Sequence, residues 1–418
     1  MSSSVLRELR SPVVLVVALS CPHAVFAQRS DCERQIGRSN VVACAEATSP
    51  RLASEMASLH AGEGRREAAR PFLPSNPTLA GSVGSRTGAS ERVLNWSIAL
   101  GQELEIAGQR GLRVEVAEGE LVALKHQVLV ARADVAEQIW LAYFELFAAQ
   151  RRVTLASQVS KAIAEVAATV RGMADNGLAA EVEATVAQAA AIKAQREVLV
   201  AERSALTAEL RLRSLVGVSP LTPISGGLEP LKSKAPEAER PEAAALKALQ
   251  GASARRVELL RRWVVPNPSV SLFAQNDGFN ERVLGVGLSL PVPLPQPLGR
   301  TRAGEVAEAV AAEEKQQAAL RQLERALATE LALARADSEA GEKVLALYSA
   351  SRMTDALQAL TSIASHVRAA RFPVREALVA QQALVELLTS EVEAQHARCV
   401  ASVRLVRASG GSLEEGDL

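Results

Sequence analysis

The sequence predicts a mainly α-helical protein with four β-strands, in which long coiled-coil hairpins are built by an internal duplication. Three observations predict this fold class. The chain of 418 residues is 48% hydrophobic but contains only 7 Phe, 3 Trp and 2 Tyr, so its apolar residues are mostly the Ala, Leu and Val that suit closely packed helices. Proline is absent from Thr78 to Ser219 and from Leu298 to Phe372, which permits unusually long helices. The third observation is an internal repeat.

The repeat relates residues 91–110 to residues 281–300 by a constant shift of 190 positions. Extended to Glu118 and Glu308, the match contains 11 identities in 28 positions. Composition alone would give roughly two, so we interpret the chain as two copies of one unit. The predicted order is a signal peptide over 1–27, an N-terminal segment with a first helix over 28–74, repeat 1 over 75–217, a proline-rich connector over 218–245, repeat 2 over 246–410 and a tail over 411–418.

The N-terminus predicts export from the cytoplasm. Arg7 and Arg10 precede the apolar run SPVVLVVALS, and the triplet ending at Ala27 has the small-residue pattern of a signal-peptidase site. Cleavage after Ala27 is the preferred interpretation. Two alternatives stay open: cleavage and lipidation at Cys21, and a short buried N-terminal helix.

Three cysteines remain after cleavage at Ala27. In an oxidising compartment Cys32 and Cys44 can form a local disulfide, or all three can be unpaired thiols. Residues 43–70 are expected to form one further helix, ended by the prolines that follow it.

Each repeat opens with a predicted strand pair, over 76–104 and over 267–292. Apolar residues alternate with small or polar ones in both pairs, the period of a strand with one apolar face. These alternating apolar residues are Leu94, Trp96, Ile98 and Leu100 in repeat 1 and Leu284, Val286, Leu288 and Leu290 in repeat 2. Strands of about ten residues are long enough to cross a bilayer when tilted. The alternative is an antiparallel pair packed on a soluble core.

Each strand pair leads into a predicted helical hairpin. In the hairpin over 105–217, apolar residues step by four and three from Ala142 to Val170, the pattern of a coiled-coil seam. Its turn is predicted at 172–177, where Asn-Gly favours the end of a helix. The hairpin over 303–408 is predicted as one helix to about Arg371, a break at Phe372-Pro373 and a return helix.

The connector and the helix that follows it link the two repeats. Five prolines and a Gly-Gly pair lie between residues 218 and 241, which predicts an extended segment around the helical part. A helix is expected over 242–262, ahead of the second strand pair.

Charge and motifs exclude several function classes. The 47 basic residues balance the 47 acidic ones, which argues against a nucleic-acid partner. The sequence contains no CxxC, HExxH, GxSxG or GxxxxGK[ST] pattern, and its five histidines are scattered. We therefore predict no enzyme, no metal site and no cofactor.

Several segments carry a family resemblance. PSNPTLAG and VPNPSVSL precede or begin the strands, while IALGQELEIAGQRGLR and GLSLPVPLPQPLGRTRAGEVAEA lead from a strand into a long helix. Together with the duplication, these segments resemble the TolC family of outer-membrane efflux proteins, and particularly its heavy-metal cation efflux branch.

The resemblance implies a homotrimer in the outer membrane. Three protomers would form a twelve-stranded β-barrel in contact with outer-membrane lipid, and their hairpins a periplasmic α-barrel. The implied function is a passive exit duct for metal cations or drugs. The implied partners are a periplasmic membrane-fusion adaptor and an inner-membrane pump of the RND type.

The resemblance also implies functional residues at the periplasmic tip. Glu183 and Glu376 each lie six residues after a tip position, Gly177 and Ala370, and are implied to face the pore constriction. The alternative is that both are solvated helix-surface glutamates. The residues implied to contact the adaptor are Arg171, Gly172, Asn176, Gly177, Arg368, Arg371, Phe372 and Pro373.

A second function class is a periplasmic adaptor or coiled-coil scaffold without a pore. Such a protein would carry one hairpin and a lipoyl-like half-motif. Two hairpins and two matched strand pairs favour the duct.

Overall fold

The computed structural model describes residues 32–87, 92–232, 239–276, 281–292, 294, 302–369 and 371–413. The predicted signal peptide, including Cys21 and Ala27, lies outside the described residues. So do Ala370, part of the connector and most of the predicted tail.

The fold consists of long helices and one small sheet. The helices are α1 Val41–Thr48, α2 Pro50–Ala69, α3 Gln109–Asp175, α4 Glu181–Val216, α5 Pro241–Arg262, α6 Ala303–Ala346, α7 Ala350–Arg368 and α8 Val374–Ala408. The strands are β1 Thr78–Thr87, β2 Arg92–Glu103, β3 Ser269–Asn276 and β4 Arg282–Ser289. None of the helices in the described ranges combines the length and the apolar character needed to span a lipid bilayer.

The first hairpin follows the sequence prediction closely. Helix α3 has 67 residues, which corresponds to about 100 Å at 1.5 Å per residue. At its end Gly177 has φ 72°, and the Leu178 N–H donates to the Met173 carbonyl at 2.8 Å. This left-handed glycine closes the helix and turns the chain into α4. Gly217 ends α4 in the same way, with φ 71°.

Two predicted helices are divided in the structure. The helix expected over 43–70 is α1 and α2, separated at Ser49, whose Oγ accepts a hydrogen bond from the Leu52 N–H. The helix expected from 303 to about 371 is α6 and α7, because Ser349 is extended between them. Helix α6 packs on α5 and α8, whereas α7 packs on α3 and α8. The chain therefore changes neighbours at 347–349, and the prediction of one helix was wrong.

The largest core lies midway along the helical part. Trp140, Tyr143 and Phe144 of α3 are fully buried there, and the Trp140 Nε1–H donates to the Leu413 carbonyl at 2.9 Å. The connector packs against this core. At Gly226, with φ 154°, a Cβ atom would lie 1.6 Å from the Tyr143 hydroxyl, so only glycine fits.

Cys32 and Cys44 form a disulfide at the edge of the same core, and Cys399 is buried and unpaired. Reduction of the disulfide is expected to lower the free energy of unfolding by about 3 kcal/mol, because the open chain regains the entropy of a short closed loop. Urea unfolding with and without a phosphine reductant measures this difference.

The control is the double variant Cys32→Ser/Cys44→Ser, whose midpoint should not respond to reductant. A wild-type midpoint that is equally unresponsive would contradict the prediction.

Candidate functional site

The strands of both repeats form one antiparallel sheet in the order β1-β2-β3-β4. The register places Leu79, Leu100, Leu272 and Val286 directly opposite one another, so their side chains form a row on one face. This apolar face is open: Leu79 is 74% exposed and Leu284 83%. The alternative of a strand pair packed on a soluble core does not fit this exposure.

The opposite face of the sheet carries small and polar residues. Thr78, Gly101, Ser271 and Gly287 form one row, and the next polar pair, Ser82 and Ser97, has its hydroxyl oxygens 2.8 Å apart. Phe273 is the large exception. Its ring covers Gly285, where a Cβ atom would lie 2.4 Å from Phe273 Cζ. The sheet thus separates an apolar side from a side suited to water.

The outer strands leave two edges open. Within the described chain β1 pairs only with β2, and β4 pairs only with β3. Their unpaired backbone groups require water or another strand.

The opposite end of the molecule brings the two predicted turns together. The end of α3, the start of α4, the end of α7 and the start of α8 share one apolar cluster, in which Val170, Val367 and Ala377 are almost fully buried. Phe372 and Met173 pack against this cluster from the two turns. The predicted tip residues of both repeats therefore lie at one end of one bundle.

The first turn is held by its own polar residues. Arg171 Nε lies 3.1 Å from Asp175 Oδ1, and its Nη1 donates to Glu181 Oε1 at 2.5 Å. The hydrogen bond to Glu181, with the charge of Asp175, raises the pKa of Arg171. Asn176 Nδ2 donates to the Gly172 carbonyl at 2.6 Å. All of these residues are exposed at the end of the molecule.

The second turn is tied to the first repeat. Arg368 Nη2 donates to Thr169 Oγ1 of α3 at 3.4 Å, which connects the two hairpins near the tip. The Arg371 N–H donates to the His366 carbonyl at 3.0 Å, and its side chain is exposed. Pro373 is the N-cap residue of α8.

Glu183 and Glu376 occupy matching helical positions but have different surroundings. Each is the third residue of its helix. Glu183 is half-buried, and its Oε2 accepts a hydrogen bond from the Ala180 N–H at 3.2 Å, so it caps α4. The corresponding cap of α8 is Pro373, which has no N–H to donate. Glu376 is exposed, and its carboxylate has no hydrogen bond or ion pair with any residue that the structure describes.

Sequence reasoning missed an apolar patch beside the first turn. Leu178 and Val182 are both more than 70% exposed, while Ala184 and Ala187 of the seam are buried. The sequence contained a pattern that could have predicted this patch, because Val182 and Val186 lie four residues apart on the side of α4 away from the seam.

The described part of the chain contains no group of three or more His, Cys, Asp or Glu side chains arranged to hold a metal ion.

Comparison with known proteins extends this description. The sequence profile of the family described as outer membrane efflux protein matches residues 41–218. The nickel and cobalt resistance protein CnrC of Cupriavidus metallidurans is 29% identical over 258 residues, which cover 59% of this chain and 61% of that protein. The chain thus spans about three fifths of the length of this curated relative.

Solved structures share the whole architecture. The outer-membrane channel OprN superposes with a TM-score of 0.75 at 18% identity, covering 90% of each chain. CusC, described with conformational changes that accompany transmembrane channel formation, superposes with a TM-score of 0.75 at 14% identity, covering 89% of this chain and 91% of its own. At these identities the likeness concerns the fold. Fold and profile match agree: the chain has the fold of these outer-membrane channels, and residues 41–218 are similar to the outer membrane efflux protein family.

Proposed function

We propose that the chain is the outer-membrane exit duct of a tripartite efflux system and that it works as a homotrimer. The observation that carries this proposal is the two-faced sheet with open edges. Three copies supply twelve strands, pair every edge, turn the leucine face toward lipid and enclose the polar face around water.

The helical part supports trimer formation as well. Helix α4 exposes a series of apolar residues along the side away from α3, and each is more than half exposed: Ile192, Leu199, Leu206 and Leu210. Such a long apolar strip is unfavourable in water, and neighbouring protomers would cover it in a closed α-barrel.

The cargo, partners and energy source follow from the duct function. No catalytic constellation is required, so the protein is not an enzyme, and the pump supplies the energy. The relative CnrC is described as a nickel and cobalt resistance protein, which favours metal cations over drugs as the cargo. A periplasmic adaptor and an inner-membrane pump of the RND type would deliver it. The adaptor would contact the tip formed by residues 171–177 and 368–373.

Reconstitution tests the duct directly. The chain extracted from outer membranes should migrate as a trimer and should produce stable single-channel conductance in planar bilayers. Recovery from cells as a soluble periplasmic monomer would overturn the proposal in favour of a scaffold protein.

Glu376 is proposed to face the constriction, because it is the exposed acid without a capping role. Replacing Glu376 by Gln removes three carboxylates from the trimer and is expected to weaken cation preference. Reversal potentials under a potassium chloride gradient measure this effect and should move toward zero.

Glu183→Gln is the matched control. It should leave the reversal potential unchanged, because the Glu183 carboxylate is used to cap α4. A Glu376→Gln channel with wild-type reversal potential would remove Glu376 from the constriction.

A further inference from the structure

A groove lies where three helices end beside the sheet. The last turn of α2, the first turns of α3 and the last turns of α5 enclose a volume of about 400 Å³. Its lining is largely apolar and includes Val116, Leu259, Leu260 and Trp263. A volume of this size accommodates part of a lipid or a small organic ligand.

Within the described chain, two arginines that line the groove have only long-range ion-pair contacts. Arg65 Nε lies 3.9 Å from Glu120, and Arg256 Nη1 lies 4.0 Å from the same carboxylate. Both arginine side chains are more than half exposed. Two positive charges therefore share one negative charge at the limit of ion-pair distance, and most of their N–H donors remain available.

The third arginine of the groove is engaged elsewhere. Arg113 Nη1 contacts Glu105 at 2.5 Å, and its other nitrogens donate to the carbonyls of Ala69 and Pro71. Arg113 thus fixes the start of α3 against the end of α2. The charge available to a ligand comes from Arg65 and Arg256, which leave one net positive charge after Glu120 is counted.

The groove lies at the sheet end of the helices, close to the periplasmic edge of the lipid head-group layer. Val116 is seven residues inside α3, which corresponds to about 10 Å beyond the start of the helix. The head-group layer extends roughly 5–8 Å beyond the hydrocarbon on each side of a bilayer. Exposed apolar side chains bridge the distance from the sheet, namely Phe72, Ile106 and Val264. Tryptophan, here Trp263, is a residue typical of this boundary.

We propose that this groove binds an anionic phospholipid of the membrane leaflet that faces the helices. Its phosphate lies between Arg65 and Arg256, and its apolar part lies against the groove lining and the exposed residues beside the sheet. The inference rests on the proposed outer-membrane location. Charge complementarity selects an anionic lipid over a zwitterionic one, and the apolar lining selects a lipid over free phosphate.

Native mass spectrometry of the full chain tests the proposal. The protein is released from nanodiscs that contain equal amounts of phosphatidylglycerol and phosphatidylethanolamine, and the lipid retained per protomer is counted. Wild type should retain phosphatidylglycerol preferentially. The double variant Arg65→Gln/Arg256→Gln should retain about thirtyfold less, because both arginines contribute to the attraction of an anionic lipid. Lysine at both positions should preserve most of the retention.

The matched control is Arg321→Gln/Arg325→Gln, which removes two exposed arginines from α6 and should leave retention unchanged. Equal retention by wild type and the Arg65/Arg256 variant would overturn the proposal, as would equal retention of the two lipids by wild type. Inorganic phosphate that displaces the lipid at millimolar concentration would indicate a free-anion site and would also overturn it.

Trimer mass and channel conductance, measured on the same preparations, report on the proposed function separately. A conducting trimer that shows no lipid preference would refute only the proposal that the groove binds an anionic lipid. Absence of the trimer refutes the duct itself.

Discussion

Replacing Ile98 by arginine is expected to prevent assembly of the protein in the outer membrane. Ile98 lies at the middle of β2, is 51% exposed and projects from the apolar face of the sheet, beside Gly81 and Ala274. An arginine facing lipid near the middle of the bilayer costs about 2–4 kcal/mol, and a trimer would carry three of them. The fraction of trimer in purified outer membranes, resolved by semi-native electrophoresis, measures the loss.

Gln275→Arg provides the control on the other face. Gln275 is paired with Ser97, the neighbour of Ile98, so its side chain lies on the polar side of the sheet. The same charge should be tolerated there, because that side contacts water. If Ile98→Arg assembled as well as Gln275→Arg, the leucine face would not be the lipid face.

Replacing Arg407 by leucine is expected to destabilise the folded protomer by about 3–5 kcal/mol, the usual cost of breaking a buried ion pair by removal of one partner. The Arg407 side chain is 10% exposed and joins three helices. Its Nη2 lies 2.7 Å from Asp134 of α3 and 2.5 Å from Glu242 of α5, and its Nε lies 3.7 Å from Glu137. Chemical unfolding followed by circular dichroism measures the difference.

Arg404→Leu, at an exposed position one turn earlier on α8, should change stability much less.

The pH dependence of stability provides a second check. Burial opposes ionisation of Glu242, but the hydrogen bond from Arg240 and the charge of Arg407 prevail and lower its pKa. Because the pKa of Glu242 is lower in the folded protein than in the unfolded chain, its carboxylate stabilises the fold at pH values above about 4.5. This contribution is lost as the pH falls through the lowered pKa. The loss of unfolding free energy caused by Arg407→Leu should therefore become smaller below about pH 4.5. A deficit that does not depend on pH would contradict the role of these carboxylates.

Local patterns in the sequence predicted most of the fold. The period of two in the strands and the helix ends at Gly177 and Gly217 are determined by residues a few positions apart, and the structure confirms them. The seam of α3 is confirmed only at its two ends, because Val159, Ala162 and Val166 are buried in its middle instead of the predicted residues. The division at 347–349 was not predictable in this way. No proline or glycine marks it, and it arises because α6 and α7 pack on different helices.

In the candidate sites too, features set by neighbouring residues could be predicted from the sequence, whereas features formed by residues far apart in the chain could not. The turns were predicted from local residues, and the different roles of Glu183 and Glu376 depend on Ala180 and Pro373, three residues before each acid. The disulfide was one of two open alternatives, because spacing alone does not decide pairing. The lipid groove was not visible, since Arg65, Val116 and Arg256 come from three distant segments.

The central core has a consequence for the order of events during biogenesis. Cys32, Trp140, Leu212 and Val403 pack together in this core. Trp140 donates a hydrogen bond to the carbonyl of Leu413, which lies 273 residues further along the chain. On the export route that the N-terminus predicts, the N-terminal part reaches the periplasm first, and the last of its core partners follow only with the final helix. The protomer therefore cannot complete its core until almost the entire chain has crossed the inner membrane. Until then it exposes apolar helix surface of the kind that periplasmic chaperones bind.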